Sequence, residues 1–338
     1  MRLTIRDIAK EAGVGLGTVS RVLNNSPHVS PATRAKVLAV IEKYNYRPHA
    51  VARSLARRRT NTVGVVVPHF TKRFFIEVLR GIQEPLEQAG RDLILYNVQN
   101  RVQKEDIFQR LTYEKPVDGV IIINLRLTDK HCELLQEAGL PVVLVDSERR
   151  EFTSIVSDNV RGAQIAVTHL INLGHRQIGL VNGLVRYHAS RQRFQGYKQA
   201  LAQHGIPYDA NLVVTSEFSR EGGYESVKAL FARAKPTAIF AASDEQAIGI
   251  MDYAREKGIR IPEDVALVGF DDIDLVDFIG LSTMRQSMTE MGAVAAQKLL
   301  EMLADSHERE KKPPERIVFC PRLVVRTSCG SRAAPRTP

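Results

Sequence analysis

The sequence predicts an α/β protein in two parts: a small all-α helix-turn-helix domain, then a two-lobed body of parallel sheets flanked by helices. Three observations predict it. Two short amphipathic stretches meet at Gly13 near the start of the chain. Residues 1–62 carry 12 Lys and Arg against 3 Asp and Glu, whereas the rest carries 35 of each, so the whole net charge of +9 lies in the first segment. From Thr62 onward, apolar runs alternate with helical stretches, the pattern of strands joined by crossover helices.

In chain order, Thr4 stands three residues before Asp7 and can cap a first helix, on which Ile8 and Ala9 form a thin apolar face. Gly13 is the turn. Val19, Val22 and Leu23 then recur at i, i+3 and i+4, which leaves Gly17, Ser20, Arg21 and Asn24 on or near the outer surface. Such a surface suits a DNA major groove, where an Arg can fork onto O6 and N7 of guanine. By pattern alone, two such helices are equally a generic helical hairpin. Ser30-Pro31 opens a third helix with Val37, Leu38, Ile41 and Tyr44 as its buried stripe. The segment from Tyr46 to Arg59 is led by Pro48 and basic, and too short to hold a helix alone in water.

In the body, the expected strands are Val63–Val67, Leu93–Tyr96, Val120–Ile123, Val142–Val145, Ile178–Val181, Ala238–Ala241 and Val265–Val268. This part is longer than one doubly wound domain needs, and the repeat of strand-helix units points to two similar lobes with a ligand cleft between them. Gly174 reads as a helix C-cap and Gly269 as a strand-end glycine.

The N-terminal stretch Asp7, Ala9, Ala12, Gly13, Val14, Thr18, Val19, Ser20, Arg21, Val22, Leu23 and Asn24 resembles, residue by residue, the signature of the lactose and galactose repressor family. It departs at Gly15, where the family usually has a Ser that caps the recognition helix; fraying there is expected. The resemblance runs on through Ser157-Asp158-Asn159, Leu173-Gly174-His175-Arg176, Ala247-Ile248-Gly249 and Val268-Gly269-Phe270-Asp271-Asp272, and implies a body resembling periplasmic sugar-binding proteins. It implies a helix-turn-helix domain over 1–47, a hinge helix and linker over 48–61, an effector-binding and dimerisation domain over 62–330, and a tail over 331–338 expected to be disordered.

Expected DNA contacts are Thr4, Leu16, Gly17, Thr18, Ser20, Arg21, Asn24 and His28, with Leu55 of the hinge wedged into the minor groove, Val51 one turn before it. Ligand contacts implied at matching positions are His69, Phe70, Phe74 and Asp146 in the first lobe and Arg193, Phe218, Asp244 and Asp271 in the second. Two departures bear on the ligand. His69, Lys72 and Arg73 stand where the family often has Asp and, later, Asn-Pro, and Ser243 replaces a common Asn beside Asp244. The cations, with Arg193 and Arg191, favour an anion such as a sugar acid or phosphosugar; Asp146 and Asp271 favour neutral sugar hydroxyls.

The resemblance thus implies a homodimeric transcription regulator, a repressor of a roughly palindromic operator, whose DNA affinity follows a sugar or sugar-derivative effector. The competing class is a sugar-binding protein or enzyme with an accessory helical domain. The sequence has no G-x-x-x-x-G-K-[ST] loop, no H-E-x-x-H and no G-x-S-x-G elbow, so the regulator is favoured and neither cofactor, metal nor catalytic residue is expected. Cys132, Cys320 and Cys329 form no C-x-x-C pair, the first residues show no secretory pattern, and no apolar run is long enough for a membrane span. A cytoplasmic location is expected. The last residues hold no leucine heptads, which argues against a tetramerising coiled coil.

Overall fold

The computed structural model describes residues 4–23, 26–46, 60–305 and 312–330. The chain divides into two compact units, Met1–Asn61 and Thr62–Pro338. Asn24, most of the expected hinge including Val51 and Leu55, and the tail over 331–338 lie outside the described residues.

The first unit holds α1 (Ile5–Ala12), α2 (Leu16–Leu23) and α3 (Pro31–Lys43) around Ile8, Ala9, Ala12, Val19, Val22 and Val37. At the start of α1 the Asp7 carboxylate accepts from both the main-chain N–H and the hydroxyl of Thr4, at 2.8 and 2.7 Å, bonds that hold its pKa below the ordinary carboxylate value. Gly13 closes α1 in the left-handed conformation at φ 62°, the turn expected of it. The Ser30 side chain accepts from the Thr33 N–H and Pro31 opens α3, as predicted.

The expected stripe of α3 is corrected at two positions. Leu38 is 48% exposed, and Val40 joins the expected Ile41 on the core, three and four residues after buried Val37. Tyr44 is also exposed, and its hydroxyl reaches back to donate to Glu11 at 2.9 Å.

The second unit contains two six-stranded sheets, ordered β11-β5-β4-β3-β1-β2 and β12-β10-β9-β8-β6-β7. The first is built from β1 (Thr62–Val67), β2 (Asp92–Asn97), β3 (Gly119–Ile123), β4 (Val142–Val145), β5 (Thr153–Ser157) and β11 (Arg316–Phe319). The second is built from β6 (Ile178–Gly183), β7 (Val213–Ser216), β8 (Ala238–Ala241), β9 (Ala266–Asp271), β10 (Ser282–Arg285) and β12 (Arg322–Val324). All described pairings are parallel except β10 with β12. The two lobes repeat one order, and each receives a late strand from the C-terminal part of the chain.

The helices of this unit are α4 (Arg73–Gln88), α5 (Arg101–Gln109), α6 (Asp129–Glu137), α7 (Asn159–Asn172), α8 (His188–Gln203), α9 (Arg220–Phe231), α10 (Asp244–Lys257) and α11 (Met288–Ala304). The main chain crosses between lobes near Asp158-Asn159, near Gln286-Ser287 and near Cys320-Pro321. Helix α11 returns to the first lobe and packs closely on α4: a Cβ built on Gly81 would stand 1.8 Å from the Thr289 carbonyl oxygen.

The apolar runs named from the sequence lie in strands, apart from Val265, which precedes β9. Strands β5, β7, β10 and β11 escaped the pattern: the first three interrupt their apolar residues with hydroxyl side chains, and β11 opens on Arg316 and alternates exposed with half-buried positions. Gly174 caps α7 at φ 98° as expected. Gly269 is corrected: it lies inside β9, where a Cβ would come 2.3 Å from an Asp244 carboxylate oxygen, so glycine makes room for that side chain.

Candidate functional site

A cleft of the body lies where strands of both sheets end. It is open to solvent, spans about 660 Å³ and is reached by residues following β1, β3 and β4 in the first lobe and β7, β8 and β9 in the second. Ligands of open α/β sheets bind at these carboxyl ends. Three lining residues there are non-glycines with positive φ: Asn124 at 51°, Asp146 at 52° and Asp271 at 126°. Such backbone is uncommon outside glycine and here turns polar side chains into the cavity.

Arg193, on α8, is the centre of the inner end. Its Nε donates to Asn159 Oδ1 at 2.8 Å, and one terminal nitrogen donates to the Ala242 carbonyl. The other terminal nitrogen lies 3.7 Å from an Asp271 carboxylate oxygen. The guanidinium also stacks 3.7 Å above the centre of the Phe270 ring. Asp146 accepts from the Asn124 amide at 2.6 Å, and Asp271 from the Gln286 amide at 2.7 Å. Burial pushes the Asp146 carboxyl up to about 6, against the pull of Arg193 and the Asn124 and Asn159 amides. Burial also raises Asp271 well above the usual range, with Arg193 opposing and Asp244 reinforcing the rise.

At the mouth, the Lys72 ammonium of the first lobe donates to the Phe218 carbonyl of the second at 3.0 Å. Phe218 packs against Tyr187, and the Tyr187 hydroxyl donates to Glu217 at 2.9 Å. His69 meets the Phe75 ring at an angle, and burial, then Lys72, lowers its pKa.

Of the ligand residues expected from the sequence, His69, Phe74, Asp146, Arg193, Phe218 and Asp271 line this one cavity. Two do not. Phe70 is 46% exposed in the bend before α4, and Phe75 takes the inward position. Asp244 is fully buried beside the cavity, where its carboxylate accepts from the Thr283 hydroxyl at 2.5 Å and the Ile273 N–H at 3.0 Å. Its neighbours Ser243 and Glu245 line the cavity instead, and the Ser243 oxygen accepts from the Gln246 N–H as the cap of α10. Arg191 turns away to donate to the Val185 carbonyl at 2.7 Å and is not in the lining. Sequence reasoning missed Asn124, Tyr187 and Glu245 as lining residues. Asn124 was findable, since it ends the apolar run Val120–Ile123.

On the first unit, α2 leaves Leu16, Gly17 and Arg21 exposed, with Thr18 and Ser20 half-buried beside them. Thr4 and His28 are exposed too, although the Thr4 amide and hydroxyl are already committed to Asp7. At the departure noted at Gly15, its carbonyl accepts from the Thr18 and Val19 N–H groups and begins the helix. Among the described residues, no group of three His, Cys, Asp or Glu side chains is placed to hold a metal, and no helix is long and apolar enough to cross a membrane.

Comparison with known proteins follows the same division. Residues 4–49 match the profile of bacterial regulatory proteins, lacI family, and residues 167–329 that of a periplasmic binding protein-like domain. The chain is 37% identical over 309 residues to catabolite control protein A of Priestia megaterium, across 90% of this chain and 93% of that protein. The transcriptional regulator CelR in complex with cellobiose is 32% identical, covers 97% of this chain and 100% of its own, and matches with a TM-score of 0.74. The lac repressor dimer bound to operator and the anti-inducer ONPF is 27% identical, with coverage of 97% and 99% and a TM-score of 0.84. The chain belongs to the lacI family of bacterial regulatory proteins.

Proposed function

We propose that this regulator is a homodimeric repressor of a roughly palindromic operator, and that a sugar or sugar derivative in the cleft sets its operator affinity. The observation that carries this reading is the wiring of Arg193 and Asp271. Arg193 is bonded to Asn159 at one lobe crossing, and Asp271 to Gln286 at another. A ligand that inserts hydroxyls between the guanidinium and the carboxylates changes the same hydrogen bonds that hold the crossings. Differential binding to two lobe arrangements is all that coupling to DNA requires. The similarity to a cellobiose-bound regulator supports a sugar, and the similarity to an operator-bound lac repressor dimer supports operator binding and two-fold pairing.

DNA contacts are assigned to Leu16, Gly17, Thr18, Ser20 and Arg21 of α2, with Thr4, Asn24, His28 and Leu55 as further contacts. Leu16 is 45% exposed, and an apolar side chain there suits a thymine methyl. The protein acts by binding, without turnover, in the cytoplasm where its operator is.

The test uses full-length protein and an operator selected from random duplexes. A sugar that raises the melting temperature is expected to shift operator affinity at least fivefold and to be recovered unchanged. Arg193→Ala should remove the ligand-induced shift, and because it also deletes the Asn159 bond its ligand-free operator affinity is measured alongside wild type. Ligand binding that leaves operator affinity untouched, or steady product formation, would refute the reading.

A further inference from the structure

We infer that the cleft mouth contains a separate subsite for an oxyanion, so that the effector is a polyol carrying a phosphate or carboxylate; this rests on the reading that the cleft binds the effector. The observation is an unspent cation beside an uncapped helix start. Arg73 lines the cavity as the first residue of α4, half-buried, and among the described residues its guanidinium has neither a hydrogen bond nor an ion pair. The other two cationic side chains of the lining, apart from His69, are engaged: Arg193 with Asn159, Ala242 and Asp271, and Lys72 with the Phe218 carbonyl. A guanidinium offers five donors in a planar fork that matches a carboxylate or phosphate.

The second observation is the helix itself. Lys72 precedes α4 as its N-cap residue without a side-chain cap, and Phe75 is the first residue whose N–H is taken, by the Lys72 carbonyl at 3.0 Å. Arg73 and Phe74, the first two residues of this 16-residue helix, both line the cavity, as His69 does. Unsatisfied N–H groups and the positive end of the helix dipole favour an anion at that position. The carboxylates Asp146 and Asp271 lie at the inner end, bonded to Asn124 and Gln286, where they suit hydroxyls. The cleft therefore offers buried carboxylates that suit hydroxyls and an unspent cation that suits an anion, with the Phe74 and Phe218 rings in the same lining for an apolar sugar face.

Glu245 lines the cavity from the second lobe and provides the competing account, in which Arg73 serves Glu245 on closure and no ligand anion is needed. The experiment separates the two. Calorimetry is run on full-length wild type, Arg73→Ala, Glu245→Gln and Arg193→Ala at constant ionic strength. The probes are inorganic phosphate and matched sets of a neutral hexose, its 6-phosphate and its uronic acid. Expected is phosphate binding to wild type that falls at least tenfold in Arg73→Ala and strengthens in Glu245→Gln, together with a preference for one anionic sugar that Arg73→Ala erases. Phosphate binding that is absent from wild type, indifferent to Arg73→Ala or weakened by Glu245→Gln overturns the subsite. A neutral hexose whose binding needs Arg193 alone leaves the effector cleft standing without its anion subsite. No response to any probe, with Arg193→Ala indistinguishable from wild type, removes both. Whichever anion binds, the paired phosphate and uronate arms identify its chemistry.

Discussion

Lys72 of the first lobe and Phe218 of the second are joined across the cleft mouth by a 3.0 Å bond from ammonium to main-chain carbonyl. The bond is charge-assisted and spans the two lobes at the cavity entrance. Lys72→Met keeps the apolar stem and removes the donor. Effector affinity is expected to fall by about 0.5–1.5 kcal/mol, roughly two- to tenfold, with the melting temperature of the ligand-free protein nearly unchanged. Calorimetry and small-angle scattering check it. Unaltered affinity with an unaltered radius of gyration would show that the bond does not hold the lobes.

The helix pair and the two lobes were legible because each rests on a local rule: a left-handed glycine at Gly13, a capped start at Ser30-Pro31, and buried apolar runs in β1, β3 and β4. Most of the cavity lining named in advance, His69, Phe74, Asp146, Arg193, Phe218 and Asp271, was legible through strand ends and resemblance. What escaped depends on contacts distant in sequence. Asp244 looks like a cleft residue at the start of α10, but Thr283 and Ile273 claim its carboxylate. Gly269 looks like a strand end until Asp244 is placed against it. Strand β10 is fully buried at Ser282, Thr283 and Met284, and its hydroxyls find partners that no periodicity reveals.

That relation between Asp244 and Gly269 is testable by stability. Asp244→Ala leaves the Ile273 N–H and the Thr283 hydroxyl without their acceptor, each worth roughly 1–3 kcal/mol when buried and unmet. Gly269→Ala drives a methyl toward the same carboxylate and should destabilise by a similar amount. Since the clash needs the carboxylate, the double variant should lose less than the two single losses combined. Urea melts measure all three. Strict additivity would separate the glycine from the aspartate.

Arg21 is exposed on α2, one residue before buried Val22, and so points away from the core of its unit. Arg21→Ala is expected to cost about 1–3 kcal/mol at the selected operator while largely sparing unrelated duplex DNA. Titrations at a single salt concentration compare the two DNAs. Equal weakening on both would reassign the side chain to a phosphate.

Asp146 predicts a pH dependence with a definite sign. Its carboxyl is fully buried and lifted from 3.8 to about 6, chiefly by desolvation. Between those values the folded chain keeps a proton that the unfolded chain has released, so the unfolded state binds fewer protons and stability falls as pH rises. This contribution is fully present below the unfolded value and lost above about 6, an effect on the order of 3 kcal/mol. Asp244 and Asp271 are raised as well and slope the same way, so the informative quantity is the difference between wild type and Asp146→Asn. Asn suits the left-handed backbone at φ 52° and has no proton to release. The variant should therefore show a flatter stability profile from about pH 4 to 6.5 in urea melts. An effector hydroxyl that donates to Asp146 binds the ionised form better, so wild-type effector affinity should climb with pH through about 6. In Asp146→Asn the part of the climb near 6 should be lost, leaving only what Asp271 contributes; parallel curves for the two proteins would place the titrating group elsewhere.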